Sequence, residues 1–371
     1  VNAERALLVL SRARLPDAVA RALLQAWPDP VAALEAARHG GAGRLDAGSR
    51  QALMRPDPAR LDADLAWLGG GRRRVLACSD PDYPALLAQT PWAPPLLFVD
   101  GDVDLLWFPQ IAIVGSRRPS AAGRERAFAY AAAFAGAGWA VTSGLAGGID
   151  TQAHLGALTA WRTVAVVGTG PDRVFPPGNT GLQARIAAAG TVVSEHPPGT
   201  PAIAAHFPSR NRIIAGLSLA TLVVEAALRS GALITARLAA EAGREVFAIP
   251  GSPDNPLARG CHRLIRAGAG LVEEPADVVS ELAPVAASLA DQLRGRLGTA
   301  PPRVAAGAAA VQPGPTADHS RLWSALGHDP IPLDVLVQRT GLTVATLSSI
   351  LLTMELDGQV VVDNGRYARR S

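Results

Sequence analysis

Short uninterrupted apolar runs recur through the middle of the chain, and most stop at a glycine- or proline-bearing turn. They fall at 75–77, 96–99, 111–114, 139–142, 163–167, 191–194, 221–225, 245–249 and 270–272. Runs without polar alternation mark strands buried on both faces, as in parallel sheets. Helical stretches separate most of them, so residues 69–283 are predicted to form a doubly wound, mostly parallel α/β sheet. The clearest βαβ unit is IAIVGSRRPSAAGRERAFAYAAAFAGAGWAVTSGLAGGID, at 111–150. Sheets of this kind bind ligands beyond the carboxyl ends of their strands, which places the expected ligand at Gly115 to Ser120.

The flanks read differently. Residues 1–68 contain the helical stretches ERALLVLSRA, AVARALLQAW and PVAALEAARHG, broken by Pro16, Pro28 and the glycines at 40–43. A small helical SAM-like domain is expected there. Its ARLPD turn lacks the glycines of a helix-hairpin-helix, so a packing role is expected of it. Residues 284–319, rich in Ala, Pro and Gly, read as a flexible linker. Residues 320–371 give three helices, RLWSALG, LDVLVQRTG and VATLSSILLTMELDG, then two strands around Asn364-Gly365, the pattern of a winged helix. The third helix carries Thr343, Ser348, Ser349 and Glu355 and no basic residue. Protein contact or regulation is expected of it rather than major-groove reading.

Composition narrows the chemistry. At 371 residues and 49% hydrophobic, the chain can bury a large core. No apolar run approaches the roughly 20 residues of a membrane span, so a cytoplasmic location away from the membrane is expected. Cys78 and Cys261 stand apart without CxxC spacing, which argues for a reducing compartment and against structural zinc. There is no lysine, so all 35 basic residues are arginine. That excludes a P-loop lysine and a Schiff-base lysine, while the guanidinium fork remains well suited to phosphate. A net charge of +3 is a weak pointer to nucleic acid, so clustering must carry that case.

Four loops could carry function. Gly115-Ser116-Arg117 combines a small residue, a following helix N-terminus and a fixed charge, which suits phosphate. The loop lacks GxGxxG and the next strand ends at Ser143-Gly144 without an acid, which disfavours nicotinamide and flavin; no cofactor or metal is expected. The second loop, Gly144 to Gly148, leads to Asp150 and His154, read as a cap and a core hydrogen bonder rather than an acid/base pair. Glu195-His196 could polarise a water. The densest cluster, Phe207-Pro208-Ser209-Arg210-Asn211-Arg212, sets two guanidinium groups behind an aromatic ring, a combination that suits single-stranded nucleic acid. The alternative is that Arg210 and Arg212 pair with carboxylates such as Glu195 or Glu225.

VGSRRPS, SGLAGGIDTQAH, AVVGTGPDRVFPPGN, SEHPPGTPAIAAHFPSRNRIIAGLS, VVEAALRSGALITA, GREVFAIPG and GCHRLIRAGA, in that order, resemble the DNA-processing protein A (DprA/Smf) family over about 111–269. The resemblance implies that residues 69–283 form an extended Rossmann-like domain, that the protein binds single-stranded DNA without catalytic residues as a homodimer, and that it loads the RecA recombinase on incoming strands during natural transformation. It implies DNA contacts at Arg117, Phe207, Arg210, Asn211 and Arg212; with Gly115, Ser116, Gly147 and Gly148 of the two glycine loops these make the expected nucleic-acid site, with Arg117, Arg210 and Arg212 on phosphates and Phe207 stacking on a base. Relatives often carry lysines around this pocket; Arg173 and Arg185 are candidates to replace them here. The rival reading is a phosphoribohydrolase-like enzyme acting on nucleotides. It would need a PGGxGTxxE loop, and SGALITARLAAE lacks both the paired glycines and the glutamate. A sequence-specific repressor built on the winged helix is a third reading, and it would require duplex selectivity.

Overall fold

A computed structural model describes residues 2–296, 317–326, 331–343, 346–347, 350–351, 354, 360–363 and 366–369. The chain forms two compact units, Val1–Leu297 and Gly298–Ser371.

The first unit begins with five short helices, α1 (Ala3–Arg12), α2 (Asp17–Ala26), α3 (Pro30–Arg38), α4 (Ala47–Met54) and α5 (Pro58–Leu68). Asn2, Asp29, Asp46 and Asp57 cap α1, α3, α4 and α5, each side chain accepting from a backbone N–H of the first turn. Pro30 and Pro58 follow their caps as the first helical residues, where a missing N–H costs nothing. Helices α4 and α5 are additions to the three stretches read from periodicity. The apolar faces of this segment close over Val75, Ala77, Leu96 and Phe98 in one cluster, so residues 1–68 share their core with the sheet.

All nine apolar runs become strands of one sheet, within two residues of the expected bounds. They are β1 (Arg73–Ala77), β2 (Leu96–Gly101), β3 (Gln110–Val114), β4 (Ala140–Ser143), β5 (Thr163–Val166), β6 (Thr191–Ser194), β7 (Ala220–Val223), β8 (Glu245–Ala248) and β9 (Gly270–Leu271). Their order is β1-β2-β6-β5-β4-β3-β7-β8-β9. Strand β2 runs antiparallel to β1 and β6, and the pairings from β6 through β9 are parallel. Between them lie α6 (Ala85–Ala88), α7 (Ala121–Gly136), α8 (Ile149–Ala157), α9 (Thr180–Ala189), α10 (His206–Leu217), α11 (Gly231–Glu241) and α12 (Arg259–Arg266), and α13 (Pro275–Arg296) follows β9.

Strand β3 organises both layers. Its Ile111 and Ile113 pack with Ala127 and Phe134 of α7 and Ala153 of α8. Its Ala112 and Val114 join Ile213 and Ile214 of α10 on the opposite face. From β3 the chain winds outward through β4 and β5 to β6, then returns to place β7 on the other side of β3. The helices that follow β3 and β7, α7 and α11, therefore lie on opposite faces of the sheet.

The linker expectation needs correction at its start. Residues 275–296 form the continuous helix α13, and Val278, Leu282, Ala286 and Leu289 are buried against the α7 face of the sheet. Steps of four, four and three put these residues on one stripe, while Pro284 lies exposed beside it. A proline and many alanines had masked that stripe. Residues 297–316 lie outside the described residues.

The second unit contains α14 (Ala317–Ala325), β10 (Ile331–Pro332), α15 (Leu333–Thr340), β11 (Val360–Asp363) and β12 (Arg366–Arg369). Its antiparallel sheet has the order β10-β12-β11, and Leu322, Leu336, Leu347, Leu351 and Val360 form the core of a winged helix. Ser348, Ser349 and Glu355 of the expected third helix, and the Asn364-Gly365 turn, lie outside the described residues. Among the described residues no helix is long and apolar enough to cross a membrane.

Candidate nucleic-acid interface

The loop after β3 is held by two neighbours. Ser116 N–H donates to the Glu225 carbonyl (2.7 Å), and the Ser116 carbonyl accepts from Ile149 N–H (3.1 Å). Gly115 has no room for a side chain, since a Cβ would meet Ile149 Cγ1 at 2.6 Å. Ser120 caps α7 through Gly123 N–H, and its own N–H (2.9 Å) and hydroxyl (2.6 Å) donate to the Glu225 carboxylate. A protein carboxylate thus occupies the place where the sequence suggested a phosphate. Helix N-termini attract anions, and here β7 supplies one. Arg117 and Arg118 are exposed, and Arg117 forms no salt bridge among the described residues.

The loop after β4 is pressed against this one. Gly148 takes φ +84°, and a Cβ there would lie 2.7 Å from the Arg117 carbonyl carbon, so both the conformation and the contact require glycine. Gly147 is half-buried beside Arg117, with its Cβ position 3.9 Å from the Arg117 carbonyl oxygen. Asp150 accepts from the N–H groups of Gly144 (3.1 Å) and Ala146 (3.3 Å) and so shapes the turn. Burial raises its pKa against the pull of Arg210. His154 is fully buried with Nδ1 2.7 Å from Thr163 Oγ1, and burial, aided by Arg210, lowers its pKa to about 3. Asp150 is not the helix cap that the sequence suggested, since Gly148 takes that place without a side-chain bond and Asp150 instead holds the loop before it; His154 is the core hydrogen bonder expected.

Arg210 departs from expectation. Its side chain is 5% exposed, and Nη1 donates to the carbonyls of Gly144 (2.6 Å) and Val166. A Cβ on Gly144 would collide with the guanidinium, which explains that glycine. Burial lowers the Arg210 pKa to about 10 despite Asp150. The residue therefore ties the ends of β4 and β5 together and has no surface for a phosphate. Arg117 stands near enough to act on both Arg210 and Asp150 through its charge.

Arg212 is also engaged. It pairs with Glu195, reaches Asp17 at 3.1 Å and donates to the Trp92 carbonyl at 2.8 Å. The carboxylate-paired alternative holds for Arg212, while the partners of Arg210 are backbone carbonyls. Arg210, buried, and Arg212, half-buried, lie two residues apart and so point to different sides of α10, one to the ends of β4 and β5 and the other to Glu195 and Trp92; spacing alone did not reveal that both serve the fold. Asn211 between them is half-buried and makes no side-chain hydrogen bond among the described residues.

Phe207 rests on the loop after β5. Its Cδ1 lies 3.2 Å from where a Gly168 Cβ would be, and its ring meets Phe175 at 5.0 Å between centroids, tilted 39°. Phe175 is 43% exposed. Sequence reasoning missed it, although FPP in VVGTGPDRVFPPGN, a lone aromatic within a glycine- and proline-rich loop, was a usable signal. Arg173 is exposed two residues away and pairs with Asp172 at 3.5 Å. Arg185 is exposed on α9. His206 stacks on His196 at 3.8 Å, and burial with the charges of His206 and Arg212 lowers the His196 pKa to about 4.

The carboxyl rim thus carries an exposed arginine loop, a glycine loop beside it and an aromatic pair, and Arg210 ties the glycine loop to the end of β5. The same segments carry the likeness to known proteins. The chain is 40% identical over 321 residues to Protein Smf of Synechocystis sp., covering 80% of each chain. It matches the X-ray structure of DNA processing protein A (DprA) from Streptococcus pneumoniae with a TM-score of 0.66 at 36% identity, over 75% of this chain and 97% of that one. A DNA processing protein A from Helicobacter pylori, solved for its single-stranded DNA binding mode, matches with a TM-score of 0.52 at 27% identity, over 58% of this chain and 97% of that one. The DprA winged helix domain is matched at residues 306–366. Because the model of DNA recombination-mediator protein A matches residues 74–283, which hold the whole rim, the chain belongs to that family.

Proposed function

We propose that this protein binds single-stranded DNA along the carboxyl rim of its sheet without cutting it, and passes the strand to the RecA recombinase during natural transformation. The observation that carries the reading is Arg117, exposed and in no salt bridge among the described residues, on the same rim as the Phe175–Phe207 pair. A guanidinium attracts phosphate, and aromatic faces take bases of any sequence, which is the combination a sequence-tolerant strand binder needs. Gly147 and Gly148 let the second loop lie low against the first, so the strand meets little steric obstruction there. Gly115 and Ser116 set the loop's shape, and Asn211 offers a free amide beside Phe207. The homodimer and the hand-over to recombinase are further parts of this proposal, supported by membership of a recombination-mediator family.

The test is a gel shift with single- and double-stranded oligonucleotides of mixed sequence. Preferential binding of the single strand, weakening steeply with salt, is expected. A preference for duplex would overturn the proposal, and release of free base from nucleoside monophosphates would favour the enzyme reading.

A further inference from the structure

The N-terminal helices touch the strand-binding rim through its supports. Arg12 of α1 makes a two-pronged bond to Asp64 of α5 (2.9 and 2.6 Å), and its Nη2 also donates to the Pro198 carbonyl at 2.8 Å. Arg212, five residues after Phe207 in α10, joins Glu195 to Asp17 at the start of α2. Both bridges end on the segment between β6 and α10, residues 195–205, which leads directly into His206 and Phe207. A cleft of about 980 Å³ lies between the helices and this segment, with Leu15 and Trp67 on one wall and Pro197 and Ile203 on the other. Apolar packing across the cleft is correspondingly limited, so the guanidinium bridges have an outsized part in fixing the segment.

We infer that the N-terminal helical segment is a positioning clamp: through Arg12–Pro198 and Asp17–Arg212–Glu195 it fixes the segment that presents Phe207 to a bound strand, and it does not itself contact that strand. The inference rests on the proposed single-stranded DNA site. Asp64 is 1% exposed on its side chain and Arg12 22%, so the Arg12 fork is preorganised rather than a loose surface pair. Asp17 is half-exposed, so its pairing contributes less than the buried Arg212–Glu195 contact.

The experiment uses the full chain carrying Arg12→Lys together with Asp17→Asn, titrated against dye-labelled oligothymidylate by fluorescence anisotropy. Lysine keeps a charge beside Asp64 but lacks the planar fork that serves Asp64 and Pro198 together. Binding is expected to weaken about threefold to tenfold, with the salt dependence unchanged and no further loss when the same changes are made in a Phe207→Ala background. Unchanged affinity would overturn the clamp. So would a loss that simply adds to that of Phe207→Ala, or one that comes with a shallower salt slope, which would mark a direct phosphate contact. Should the double variant melt below the assay temperature, Asp17→Asn alone, at a half-exposed position, gives the same reading. Failure of the wild-type chain to bind at all would overturn the DNA function itself, a result distinct from wild-type binding that the clamp changes leave intact.

Discussion

Ser120 gives both its backbone N–H (2.9 Å) and its hydroxyl (2.6 Å) to the carboxylate of Glu225, so the N-terminus of α7 carries an anion from within the fold. Glu225 is 5% exposed, and hydrogen bonds to a charged group typically contribute about 1.5–3 kcal/mol. Glu225→Ala is expected to lower stability by roughly that amount, which differential scanning calorimetry would record as a fall in Tm of several degrees. The vacated donors should then accept a free anion. Added sulfate is expected to raise the variant's Tm more than the wild type's, and equal shifts would show that the helix terminus was not the anion's seat.

Arg117 is the exposed charge of the first loop. Arg117→Ala is expected to weaken oligonucleotide binding by about tenfold, the loss of one charge-assisted hydrogen bond, with little change in Tm. The slope of log affinity against log salt should shrink by about 0.7 for the phosphate no longer neutralised. Arg212→Gln should behave in the opposite way, losing thermal stability and keeping the slope, because its guanidinium meets Glu195 and Asp17. Isothermal titration at several salt concentrations separates the two, and matching slopes for Arg117→Ala and wild type would remove Arg117 from the phosphate track.

Much of the fold was legible because buried parallel strands announce themselves as apolar runs, and all nine were found. Helix α13 was hidden because Pro284 and its alanines dilute a stripe that becomes visible only when Leu282 and Leu289 meet the core. The sequence placed Arg117 and Phe207 beside glycine loops, and there they stand, Arg117 exposed and Phe207 against Gly168. The roles of Arg210 and Arg212 were not, since a guanidinium in a sequence looks alike whether it meets phosphate, a carboxylate or a backbone carbonyl. Their destinations depend on where β4, β5 and β6 end in space, and that is a property of the sheet order rather than of the FPSRNR stretch.

The aromatic pair divides the binding energy differently from the arginine loop. Base stacking on an aromatic ring contributes about 1–3 kcal/mol by alanine substitution and carries no net charge. Phe175→Ala removes an exposed ring, and Phe207→Ala removes the ring that packs on Gly168. Each is expected to weaken binding about fivefold to a hundredfold while leaving the salt slope as in wild type. Because the rings meet at 5.0 Å, the double variant should lose less than the sum of the two. Strict additivity in anisotropy titrations would mean that the rings serve separate bases.

Two neutral histidines set the acid limit of the fold. Burial is the main cause that lowers His154 to about 3, with Arg210 adding to it, and lowers His196 to about 4, with His206 and Arg212 adding to it. An unfolded histidine titrates near 6.5, so below that pH the unfolded chain takes up protons that the folded chain refuses. Their contribution to stability is therefore complete above about 6.5. It is lost as pH falls towards 4 and 3, at up to about 1.4 kcal/mol per pH unit for each group. Asp150 and Glu195, whose pKa values burial raises, bind protons sooner in the folded chain than in the unfolded one and offset part of the loss at the acid end. The Tm should fall between pH 7 and pH 5, and His196→Asn should flatten that fall. A Tm independent of pH across this interval would mean that neither imidazole is held neutral by the fold.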